Sequence, residues 1–97
     1  MTYRVENANR RVEKQILRLP RQVRSRVARA ILELEANPRP HRCKKLVDDI
    51  YRVRVGSYRV IYRISDSEKL VLIGKVARRS ADTYSDIEEP LSSSEAV

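Results

Sequence analysis

One cysteine, one histidine and no long apolar run narrow the field before any motif is read. With Cys43 alone an intramolecular disulfide is impossible, and with His41 alone no Cys/His zinc set can form, so a reducing, cytoplasmic setting is expected. No stretch approaches the roughly 18 apolar residues of a membrane span, and MTYRVENANRR lacks the apolar centre of a secretion signal. A soluble chain with no membrane partner is therefore expected. Basic residues are missing too, at one end only. Residues 80–97 hold 5 acids and no Lys or Arg, whereas residues 1–79 hold all 21 bases against 8 acids, a net +13. Such a body attracts polyphosphates or an acidic protein, and composition does not separate the two. At 97 residues there is room for one domain with a modest core.

Apolar spacing gives the order of elements. Tyr3 and Val5 alternate with polar neighbours and predict a short strand. Asn7 is a plausible N-cap for a first helix, in which Val12, Ile16 and Leu19 recur until Pro20 interrupts them. Pro20 suits the first turn of a second helix, whose stripe of Val23, Val27, Ala30, Ile31 and Leu34 runs to ANPRP. Its opposite face carries Arg21, Arg24, Arg26 and Arg29, the pattern of a solvated charged face, with a dedicated binding face as the alternative. PRPHRCKKLVDDI has two prolines and no periodicity, which predicts a connecting loop with Leu46 and Ile50 dipping into the core. His41 and Cys43 are then ordinary loop residues.

YRVRVGSYRVIYRI, residues 51–64, is the most informative stretch. Gly56-Ser57 is the Gly-X pair of a two-residue type II′ hairpin, because glycine accepts the positive φ required first. That turn fixes the register: Val55 opposite Tyr58, Arg54 opposite Arg59, Val53 opposite Val60, Arg52 opposite Ile61, Tyr51 opposite Tyr62. Opposed residues share a face, so Tyr51, Val53, Val55, Tyr58, Val60, Tyr62 and Ile64 form the side that takes the helices. Arg52, Arg54, Arg59, Ile61 and Arg63 form the other, expected to present cations outward. Directly opposed like charges cost a few tenths to about 1 kcal/mol, although long arginine side chains splaying into water reduce that cost. KLVLIGKVA is apolar on both parities, as in a buried strand, and runs into RRSADTYSD, where Arg78 and Arg79 extend the cationic face and Tyr84 adds a phenol. Arginines and a phenol, without a histidine or an acidic pair, suit a phosphodiester whose charge they bind while a substrate group supplies the nucleophile.

LVDDIYRVRVGSYRVIYRI followed by RRSADTY resembles the RelE/ParE superfamily of toxin–antitoxin toxins, nearer the RelE branch, over about residues 2–86. The resemblance implies an α+β fold in the order β-α-α-β-β-β, with a helical hairpin on one face of an antiparallel sheet. It implies a domain over residues 1–89 and leaves 90–97 as an acidic, Ser-rich, disordered tail. It also implies a metal- and cofactor-independent endoribonuclease that cuts mRNA in the ribosomal A site through the RNA's own 2′-hydroxyl, contacts ribosomal RNA and is blocked by a cognate antitoxin protein. Carried over by position, Arg54 and Arg59 clamp the scissile phosphate, Arg78 sits at the leaving 5′-oxygen, and Tyr84 orients or deprotonates the 2′-hydroxyl. Arg52, with Arg63 and Arg79 on the same cationic face, is expected to bind RNA. Arg52 and Arg54 stand where such toxins often carry lysine, which favours phosphate binding over proton transfer. A ParE-like gyrase inhibitor on the same scaffold, without nuclease chemistry, is the alternative, and a plain basic RNA-binding module is another.

Overall fold

Two asparagines compete to begin the first helix in ENANR, and the second one prevails. In the computed structural model, which describes residues 2–78, the Asn9 side chain accepts from the Val12 N–H at 3.2 Å and α1 runs Arg10–Leu17. Asn7 instead ends β1, Arg4–Asn7. Pro20 stands just before α2, Arg21–Ala36, as its N-cap residue rather than inside its first turn. Val12, Leu19, Val27, Ala30 and Leu34 are buried, so the predicted stripes of both helices do face the sheet.

The sheet holds β2 (Cys43–Val47), β3 (Ile50–Val55), β4 (Tyr58–Ser65) and β5 (Leu70–Arg78) in the order β1-β5-β4-β3-β2. Two expectations change here. The stretch read as a connecting loop contains β2, so the order is β-α-α-β-β-β-β. The sheet is mixed rather than antiparallel, because β1 pairs parallel to β5.

The hairpin follows the predicted register at all five pairs, and a sixth, Ile50 with Arg63, continues it. Gly56 has φ 60, while Ser57 is absent from the positive-φ residues, which is the type II′ combination. Tyr51, Val53, Val55, Val60, Tyr62 and Ile64 are buried in the main core with Tyr58 packed against them. The double-parity pattern of β5 also has a cause. Ile61 pairs with Lys75 but Tyr62 pairs with Ile73, so Gly74 is an extra residue that shifts the phase of the strand. Val71, Ile73 and Val76 thereby all reach the same core.

Beyond Ile73, β1 no longer covers the outer edge of β5. There the Val76 N–H donates to the Gln15 side-chain oxygen of α1 at 2.8 Å, which satisfies the strand where no neighbouring strand does. At the opposite end, Arg39 donates twice to Asp66, at 3.2 and 2.8 Å, and once to the Tyr51 hydroxyl at 3.1 Å. Tyr3 donates to the same carboxylate at 2.6 Å. This network ties the segment after α2 to the β4–β5 turn and to the residue just before β1.

Candidate active site

The face of the sheet away from the helices is not the open array of cations that the alternation predicts. Ile50 and Ile61 are buried there with Leu46 packed on them, a second, smaller apolar cluster. Arg59 is only 1% exposed, and one guanidinium nitrogen donates to the backbone carbonyl of Arg78 at 3.2 Å. A mid-strand arginine in an alternating run reads as solvent-facing. Here the guanidinium instead lies inside the protein, along the end of the β5 ladder.

Arg59 is opposite Ala77 on β5 and opposite Arg54 on β3. Arg78 falls opposite Tyr58, so strand parity assigns it to the other face, and it meets Arg59 through its main chain. Arg52 and Arg63 are half-buried, and Arg63 donates to Asp49 at 3.2 Å. Arg54 is exposed. Because β2 stops pairing at Cys43 and Val53, the last residues of β3 have no outer neighbour, and Arg54 turns toward α2 into a groove shared with Arg26, Arg29 and Arg42. Arg54 and Arg59 are therefore backbone partners whose guanidiniums occupy different surroundings. Arg79, Tyr84 and the 90–97 tail lie outside the described residues.

Of the groove arginines, Arg54 is a site residue expected from the sequence, Arg26 and Arg29 read there as part of a charged helix face, and Arg42 carries no signal. The i, i+3 spacing of Arg26 and Arg29 puts them on one stripe, but nothing in the helix pattern says which stripe borders the hairpin.

Two of the tyrosines, Tyr62 and Tyr3, are poor candidates for base catalysis. Burial, with Cys43 beside it, pushes the Tyr62 phenol far above its ordinary range, and its hydroxyl donates to the Pro38 carbonyl at 2.8 Å. The Tyr3 phenol is raised chiefly by its hydrogen bond to Asp66. Both stay neutral donors at neutral pH.

The fold is shared with known proteins. The family model for the ParE toxin of the type II toxin–antitoxin system parDE matches residues 6–83. A protein named RelE1 from Methanocaldococcus jannaschii is 33% identical over 84 residues, covering 81% of this chain and 92% of its own length. The structure of the RelE–RelB complex from Pyrococcus horikoshii superposes with a TM-score of 0.77 at 34% identity, over 84% of this chain and 99% of that one. A mutant of the E. coli toxin RelE in the free state shares the fold, with a TM-score of 0.76 at 22% identity over 94% of this chain and 99% of that one. The chain belongs to the RelE/ParE superfamily and is a toxin of a toxin–antitoxin system.

Proposed function

We propose that the protein is a ribosome-dependent endoribonuclease that cuts mRNA in the A site. The observation that carries this reading is the joining of Arg59 to the end of β5. Its guanidinium is fixed by the Arg78 carbonyl, at the point from which the chain continues toward Arg79 and Tyr84. A charge held by two strands and a main-chain acceptor is preorganised, the condition under which it stabilises a transition state strongly. The 2′-oxygen of the RNA attacks the adjacent phosphorus, the bond to the 5′-oxygen breaks, and a 2′,3′-cyclic phosphate and a 5′-hydroxyl result. Tyr84, as the phenolate that cations at the site favour, takes the 2′-hydroxyl proton; Arg54 binds the phosphoryl oxygens, the buried Arg59 adds its fixed charge to their stabilisation, and Arg78 stabilises the departing oxygen. Arg52, Arg63 and Arg79 hold flanking RNA. An arginine is effectively always protonated, so the leaving oxygen takes its proton from water.

Residues 1–89 are assigned to this domain and 90–97 to a dispensable tail. The protein acts in the cytoplasm. Its antitoxin is a small protein with an acidic segment that covers or displaces part of the arginine-bearing surface. The relatives from Pyrococcus horikoshii and Mycobacterium tuberculosis, at 34% and 25% identity, were solved in complex with RelB and as a RelBE2 complex, which supports a partner of that kind.

The family model is described by ParE, and this favours one second reading, gyrase inhibition without nuclease chemistry. Induction of the protein alone in bacteria separates the two. Radiolabelled amino-acid incorporation falls first if mRNA is cut. Sustained incorporation with relaxed or broken DNA contradicts the nuclease reading and supports the gyrase one.

A further inference from the structure

The groove between α2 and the β3–β4 turn is lined mainly by arginine, and its residues are not those assigned to the cleavage step except for Arg54. It has a volume of about 300 Å³ and is lined by Arg26, Arg29, Arg42 and Arg54, with Glu33 the one acid. Glu33 accepts from Arg42 at 3.4 Å, which leaves three guanidiniums to one half-open groove. Among the described residues no carboxylate lies within ion-pair distance of Arg26, Arg29 or Arg54. Gly56 contributes by what it lacks. A Cβ there would meet the Arg26 guanidinium at 3.2 Å, so the bare turn lets Arg26 lie against the hairpin at the groove mouth.

We propose that this groove holds a backbone phosphate of single-stranded RNA, as a second subsite beside the scissile phosphate. This rests on the nuclease reading. Arg54 supplies the continuity, since its guanidinium is in the groove while its main chain pairs with Arg59. The lining contains no aromatic ring on which a base could stack, and its apolar part is limited to Ala30 and Val55. That chemistry favours a sequence-independent phosphate contact over a base pocket. It equally lacks the apolar anchors by which a peptide segment binds.

The test is fluorescence anisotropy of a short 2′-O-methyl oligoribonucleotide, which binds but cannot be cleaved, titrated with the full chain over a range of salt. Arg26→Gln/Arg29→Gln keeps two good helix formers at exposed positions, and Arg10→Gln/Arg11→Gln removes the same charge from exposed positions of α1. The groove variant is expected to bind about tenfold more weakly, with the slope of log affinity against log salt reduced by about 0.7 to 1, while the α1 variant shifts less than about twofold. Equal losses in the two variants overturn the proposal, because they mean a general field and no subsite. Loss of binding to an acidic peptide with RNA binding intact also overturns it and assigns the groove to a protein partner. A wild-type protein that cuts no mRNA, yet binds the oligonucleotide through Arg26 and Arg29, refutes the nuclease reading and leaves the subsite in place.

Discussion

Arg59 is at once the most buried charge of the described residues and the residue on which the proposed chemistry depends most. Truncation to alanine empties a packed position and removes the hydrogen bond to Arg78, so Arg59→Ala is expected to lower stability by about 1 to 3 kcal/mol in denaturant melts. Arg59→Met keeps most of the volume and separates folding from function. It should melt closer to wild type while cleavage falls about a hundredfold or more, the scale of losing one preorganised charge stabiliser. Tyr84→Phe should fall comparably in single-turnover cleavage, and Cys43→Ser should leave it unchanged. A different residue adds a small acid-dependent contribution to stability. The hydrogen bonds from Arg39 and then Tyr3 hold the Asp66 carboxyl below the usual carboxylate range. A depressed folded-state pKa gives a contribution that is present above the unfolded value, near 3.9, and is lost as pH falls through the folded one. Asp66 is largely exposed, so the contribution is small. Thermal melts between pH 5 and pH 2 should show a smaller fall in Tm for Asp66→Asn than for wild type, and an equal fall would contradict the role given to this cluster.

Among the elements, the hairpin was legible in the sequence because a two-residue glycine turn leaves one register, and that register decides which side chains are buried. Gly56→Ala should therefore be costly twice over, through its positive φ and through the Arg26 contact, with a loss of about 1 kcal/mol or more by denaturant melting. The helices were legible from their stripes, to within two residues at the first cap. β2 was not, because its residues alternate poorly, follow two prolines and become a strand only by lying against β3. The parallel pairing of β1 was hidden for a related reason: a four-residue strand carries no mark of its partner. Gln15 belongs to the same class. Its side chain completes β5 where β1 stops, so Gln15→Leu should lose about 1 kcal/mol or more by leaving the Val76 N–H unsatisfied. The burial of Arg59 and the turn of Arg54 into the groove are tertiary outcomes of where β2 and β5 end, and no local pattern encodes them.

For the whole molecule, the decisive property is a body of net +13 over residues 1–79 beside an acidic end. Association with an acidic antitoxin segment should be fast and should slow markedly as salt is raised from about 50 to about 500 mM in stopped-flow measurements, since long-range attraction is screened within about 10 Å at 0.1 M. A salt-independent rate would point to an apolar docking face. Deletion of residues 90–97 should leave toxicity intact. The central claim is that this cationic sheet cuts RNA held by the ribosome, and primer extension on programmed ribosomes tests it most directly. Wild-type protein is expected to produce a new 5′ end within the A-site codon, and Arg59→Met, folded by thermal melting, is expected to lose it. Intact mRNA with wild-type protein, or full cleavage by folded Arg59→Met, would contradict the account.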